Sequence, residues 1–180
     1  MNEFTNLQLY GTRNDVSANA KSVSIQALSE RLADGIDLAL AIKQAHWNLK
    51  GAQFIGVHLM LDTFRNELDD LNDKVAERIV QLGGTACGTV AAVAARSRLA
   101  PYPIDAHAVG SHIVALADRY ADFASAVRRN IDDTDEAGDA GTADLFTELS
   151  RGVDKQLWFL EAHIQEAAGS MPGPGRITDR

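Results

Sequence analysis

The chain has 180 residues, 46% of them hydrophobic, enough for one domain with a sizeable core, and no run approaches the ~18–20 apolar residues of a membrane span. Its formal net charge of −8 repels phosphate backbones and attracts cations, which argues against nucleic-acid binding by the folded surface and for metal or cationic partners. Cys87 stands alone, so it reads as a small helix or loop residue without a disulfide framework, and residues 1–21 lack the layout of a secretory signal; both fit a cytoplasmic protein.

Apolar residues recur at helical spacing through most of the chain, with no sustained strand alternation. A first helix is expected after Ser24, with Ile25, Leu28, Leu32, Ile36, Ala39 and Ile42 on one stripe, ending near Lys50-Gly51. A second is expected from Phe54 to Leu82, with Val57, Leu61, Phe64, Leu68, Leu71, Val75 and Leu82 in near-heptad register and Gly83-Gly84 as its stop. Residues 85–104 form a connector with a short helix around Val90 to Arg96, after which Pro101 and Pro103 forbid regular helix. A third long helix covers about Asp105 to Asp132, carrying Val109, Ile113, Leu116, Tyr120, Phe123, Val127 and Ile131. Following an acidic turn from Asp132 to Gly141, a fourth spans Thr142 to Ala168 with Leu145, Leu149, Val153, Leu157, Leu160 and Ile164 inward. The expectation is an all-α four-helix bundle over residues 22–168, flanked by flexible tails at 1–21 and 169–180. The long link between helices two and three permits a crossover along the bundle, as in ferritin-like folds.

His58, Asp62, Asp69, Asp73 and Glu77 recur at intervals of four and seven on the second helix, displaced by about one residue, ~100°, from its apolar stripe. A solvated acidic face would look the same. The spacing adds information. His58 and Asp62 are one turn apart and can share a metal ion, as can Asp73 and Glu77. From Asp62 to Asp73 is ~16 Å along the axis, too far for one ion whose ligands must lie ~2 Å away. The two pairs can meet if the helix lies antiparallel to a copy of itself. Positions 58 and 77, and positions 62 and 73, share one midpoint between 67 and 68, so a two-fold axis there sets His58 opposite Glu77 and Asp62 opposite Asp73 of the other subunit.

His46 fits the same geometry, because a hairpin around Gly51-Ala52-Gln53 places it level with His58. Imidazole mixed with carboxylate suits divalent iron, manganese or zinc better than calcium or magnesium. The Glu-x-x-His pairs of a buried di-iron bundle do not occur, so any iron chemistry belongs at an interface.

These residues resemble the Dps family, the twelve-subunit mini-ferritins. The resemblance lies in His46-Trp47-Asn48-Leu49-Lys50-Gly51 followed by Phe54, His58, Asp62 and Phe64, then Asp73, Ala76-Glu77-Arg78 and Leu82-Gly83-Gly84. Thr142-Ala143-Asp144 and Asp154 to Glu161 extend it, over about residues 15 to 167. It implies ferroxidase ligands at His46, His58 and Asp62 of one subunit and Asp73 and Glu77 of its two-fold mate. It also implies oxidation of Fe(II), preferentially by hydrogen peroxide, with ferric oxide stored in a hollow dodecamer. Zinc or manganese would compete for such a site. Asp62 and Glu77 are the expected anchors, the imidazoles bind less well as they protonate, and Asp73 is a ligand for a weaker second iron or a supporting group. Trp47 resembles a family tryptophan that takes up stray oxidising equivalents, with simple packing as the alternative; Lys43 either neutralises Asp62 or is exposed.

Asp139 and Asp144, at the start of the fourth helix, are candidates for a carboxylate-lined pore, the alternative being a capped helix start. His107, His112 and His163 match no ligand position and read as surface or packing residues. Many family members bind DNA through basic tails, but here Arg13 and Lys21 are offset by Glu3 and Asp15, and Arg176 and Arg180 by Asp179 and the terminal carboxylate. Weak or no DNA binding is expected. The competing readings are a nucleoid-associated compacting protein with an incidental metal site, and a helical oligomer whose stripe only stabilises a dimer.

Overall fold

A computed structural model describes residues 9–165. Within them lie five helices and no named strand: α1 Ala18–Asn48, α2 Phe54–Gln81, α3 Val90–Arg96, α4 Val109–Glu136 and α5 Ala140–Glu161. The architecture is the expected all-α ferritin-like one, with α3 as the extra short helix. The flexible-tail expectations for residues 1–8 and 169–180 lie outside the described residues.

The connector runs the length of the bundle. One isolated bridge pairs Lys50 with Ala108, through Lys50 N–H to the His107 carbonyl (2.7 Å) and Val109 N–H to the Lys50 carbonyl (3.1 Å). Thus α4 begins beside the α1–α2 hairpin, whereas α2 ends ~42 Å away at the far end. The chain must cross over between them, so α4 runs parallel to α2, and α5 returns against α4.

The core follows helical period. In α2 the buried positions are Val57, Leu61, Phe64, Leu68, Asn72, Val75 and Ile79. Leu71, expected inward, is half-buried at the edge, and Asn72 takes its place. A straight helix of 3.6 residues per turn drifts off a strict heptad within two turns. Gly35 of α1 faces this asparagine, and a Cβ there would collide with the Asn72 amide oxygen. A side chain at position 35 would require the Asn72 amide to shift. In α5, Phe146 and Gln156 are buried while Leu145 and Leu157 flank the core, and Ile164, beyond the end of the helix, is exposed.

Boundaries differ from expectation in three of the helices. Helix α1 starts at Ala18, capped by the Ser17 hydroxyl accepting from Ala20 N–H (3.2 Å), and Ser24 is buried inside it. The ordered chain reaches further still, since Tyr10 N–H donates to the Gly83 carbonyl (2.8 Å). Gly83 has φ +94, and a Cβ there would lie 2.5 Å from the Tyr10 carbonyl oxygen. Helix α4 starts at Val109, because the bridge to Lys50 holds residue 108 extended, and continues through the acidic run to Glu136. Thr134, in the middle of that run, is buried, with its hydroxyl on the Asn130 carbonyl (2.6 Å). Helix α5 closes at Glu161, short of the expected 168. No described helix is long and apolar enough to cross a membrane.

Candidate metal centre

His46 lies in the last turn of α1 and His58 in the second turn of α2, brought level by the hairpin at residues 49–53. Their rings stack with centroids 3.6 Å apart and an interplanar angle of 22°. Each ring is fixed by the other residue's main chain: His46 Nδ1 lies 3.0 Å from the His58 carbonyl, and His58 Nδ1 lies 3.0 Å from the His46 carbonyl. A carbonyl oxygen can only accept, so both Nδ1 atoms carry the proton and both Nε2 atoms keep a lone pair for a metal ion. Such a bond sets tautomer and orientation together, as metal-binding histidines require.

Asp62, one turn beyond His58, completes the group. One ligand atom from each of His46, His58 and Asp62 falls within 4.8 Å of the others, the only cluster of three or more metal-ligating side chains among the described residues. His46 is buried, and His58 and Asp62 are half-buried, so the group opens at the edge of the protomer. Lys43 Nζ sits 2.6 Å from Asp62 Oδ1, and His46 Nδ1 lies 3.4 Å from the same oxygen. The Lys43 hydrogen bond, with the neighbouring imidazoles, holds the Asp62 carboxyl below the usual carboxylate range. Asp62 is therefore ionised, with the lysine on its Oδ1.

Asp73 and Glu77 are exposed on α2 and do not join this group, as the ~16 Å separation requires. Asp69, on the same stripe, is held by Arg65 (Nε–Oδ2 2.7 Å). Trp47 is 69% exposed beside His46, so the packing alternative does not hold within the protomer.

The two pore candidates diverge. Asp144 is exposed on the first turns of α5. Asp139 is 2% exposed and fully engaged. It caps α5 by accepting from Thr142 N–H (3.1 Å), and it also accepts from the Thr142 hydroxyl (2.6 Å), the Ser24 hydroxyl (2.8 Å) and Arg78 Nη2 (2.7 Å). Within the protomer it is a cap and a tie between α1, α2 and α5, because an unpaired carboxylate could not be buried there. His107 and His163 are exposed, and His112 is buried against Tyr102.

The reciprocal carbonyl bonds of the histidine pair were not legible in the sequence, since side-chain periodicity does not register main-chain acceptors. The hairpin length was the one signal, as it sets which turn of α1 faces which turn of α2.

Comparison with known proteins agrees with the fold. The family model described as "Ferritin-like domain" matches residues 25–169. A DNA protection during starvation protein from Agrobacterium fabrum is 56% identical over 89% of this chain and 99% of its own. The solved structure of DpsA14 from Streptomyces coelicolor superposes with a TM-score of 0.86 at 33% identity, covering 92% of this chain and 98% of that one. DpsC from the same organism gives 0.85 at 30%, covering 89% and 94%.

Proposed function

Because the chain belongs to the Dps family of ferritin-like proteins, we propose that it is a ferroxidase and iron store whose metal sites are shared between two-fold-related subunits. The observation that carries this reading is the half-site itself. Two imidazoles with fixed tautomers and one ionised carboxylate converge at the protomer edge, too few donors to complete the coordination of iron. The partner's Asp73 and Glu77 supply the missing carboxylates under the two-fold pairing, and their charge offsets that of two ferrous ions.

At a filled site two Fe(II) ions each give one electron to hydrogen peroxide, whose O–O bond breaks to two hydroxides, leaving two Fe(III) to hydrolyse into stored oxide. Both ingredients of hydroxyl-radical formation are consumed together. His46 and His58 bind neutral; Asp62 anchors and can bridge. Trp47, exposed next to His46, is placed to meet oxidant that escapes. Assembly into a hollow dodecamer with a carboxylate-lined uptake route, for which Asp144 remains the candidate, belongs to the same reading, as do a cytoplasmic location and weak DNA binding by an acidic shell.

Anaerobic Fe(II) titration followed by hydrogen peroxide tests it, comparing wild type with His58→Ala/Asp62→Ala. Rapid ferric absorbance in the wild type and its loss in the variant is the expected result. Equal slow oxidation in both would reduce the stripe to a charged surface.

A further inference from the structure

The connector and α4 carry a pair that the iron site does not use. The Tyr102 hydroxyl lies 2.7 Å from His112 Nδ1, with the two rings within 13° of parallel. His112 is 1% exposed and Tyr102 packs on the edge of the core. The Arg119 guanidinium lies 6.0 Å from the Tyr102 ring centroid and is itself paired with Asp37 of α1 (2.9 Å).

A phenol gives up an electron readily only if its proton has somewhere to go, because the phenol radical cation is a very strong acid. Of the three tyrosines, Tyr102 alone is shown against a base. Tyr120, fully buried, donates to the Gln156 amide oxygen (2.7 Å), which cannot take a proton. Tyr10 is exposed. Burial pushes the His112 imidazole down, which favours its neutral form, and in the tautomer with its hydrogen on Nε2 the ring accepts through Nδ1; burial pushes the Tyr102 phenol up, so it keeps its proton until it is oxidised.

The pair is tied to the part of α1 that ends at His46. Its segment is bridged to Lys50, four residues after His46, and through Arg119 it reaches Asp37, nine residues (~13 Å) before His46. These ties connect the pair to the C-terminal half of α1, which carries the ligand His46.

We propose that Tyr102 and His112 form a proton-coupled electron donor that supplies the second electron when peroxide meets a site holding only one Fe(II). This inference rests on the ferroxidase reading for its source of oxidant. Peroxide needs two electrons, and one ferrous ion has one to give. The iron supplies the first and the phenol the second, and the O–O bond breaks to two hydroxides. The phenol O–H bond breaks, its proton passes to His112 Nδ1, and a neutral phenoxyl radical is left. The next Fe(II) to arrive returns an electron to the radical and the proton returns from His112, so a second Fe(III) is formed and the pair is reset. Over the cycle two ferrous ions reduce one peroxide, and no hydroxyl radical is released.

The test uses the assembled full chain with ring-deuterated tyrosine, in a Tyr10→Phe background, with Tyr102→Phe and His112→Asn as the variants. In one arm, one Fe(II) per site is loaded anaerobically, hydrogen peroxide is added, and freeze-quenched samples are read by electron paramagnetic resonance while ferric absorbance is followed. In the other, metal-free protein is oxidised by photogenerated tris(bipyridyl)ruthenium(III). A tyrosyl signal narrowed by deuteration should form in both arms, vanish in Tyr102→Phe and fall in His112→Asn. Oxidation at two Fe(II) per site should be unchanged in both variants. A tyrosyl signal undiminished in Tyr102→Phe, or iron oxidised in the first arm with no tyrosyl signal, overturns the proposal. Failure of iron to oxidise at all counts against the ferroxidase reading instead, and the ruthenium arm then decides the fate of the pair: no tyrosyl signal there overturns it.

Discussion

Asp139 offers the sharpest test of how the bundle is tied together. Its carboxylate caps α5, accepts from Ser24 of α1 and pairs with Arg78 of α2, and it is almost fully buried. Asp139→Asn keeps a good N-cap but removes the charge. Breaking a buried ion pair costs about 3–5 kcal/mol. The Arg78 side chain is 18% exposed, so water relieves part of that cost and the lower end, ~3 kcal/mol, applies. Asp139→Ala also loses the cap, for ~4 kcal/mol in all. At this chain length each kcal/mol shifts Tm by about 2–4 °C. Thermal unfolding followed by circular dichroism at fixed protomer concentration should therefore fall by ~6–12 °C for Asn and ~8–16 °C for Ala. The pH dependence has a definite sign. Burial by itself pushes the Asp139 carboxyl up, but hydrogen bonds from Thr142 and Ser24 and the Arg78 charge together leave it below its usual range. A depressed carboxylate contributes stability that is complete above the ordinary value of ~3.9 and is lost as pH falls through the depressed one. The Asn variant should consequently be destabilised at neutral pH and converge on wild type in acid. A loss under ~3 °C in both variants, with parallel acid limbs, would refute the argument.

Two further outcomes follow from the close contacts around α1. Gly35→Ala gains ~1 kcal/mol of helix propensity but drives a methyl into Asn72, an overpacking cost of about 1–3 kcal/mol, so the variant should be less stable in urea than wild type. Adding Asn72→Ala should recover part of the loss; additive effects in the double-mutant cycle would show that the two residues do not oppose each other. Lys43→Met removes the ammonium that occupies Asp62, and calorimetric titration with Zn(II) should then show tighter binding than wild type. Unchanged or weaker binding would mean that the lysine orients the carboxylate and does not compete with the ion.

The sequence carried the fold where one side of a helix is apolar and the other is not. Val57, Leu61, Phe64 and Leu68 are spaced by four, three and four, and all are buried. It was least legible where polar residues do structural work. Ser24 resembles a cap, yet it is a buried mid-helix residue donating to Asp139 from 115 positions away. The acidic stretch after Ile131 resembles a turn, yet α4 continues through it because Thr134 satisfies its hydroxyl on its own helix. At the site, hairpin length and ligand spacing place His46, His58 and Asp62 together, and the structure clusters them. Asp139 could not be placed from its position alone: a carboxylate at a helix start suits a pore and a cap equally, and only its burial against Arg78 and Ser24 distinguishes them.

The central claim is that each site is built from two subunits, and mixed assembly tests it most directly. His58→Ala/Asp62→Ala lacks one half of every site and Asp73→Ala/Glu77→Ala lacks the other. In a mixed pair, one site loses both halves and the other is intact. Co-refolding the two inactive variants in equal amounts should restore peroxide-dependent Fe(II) oxidation to roughly a quarter of wild type, since half the pairs are mixed and each has one good site of two. A mixture no more active than its components would contradict the shared site.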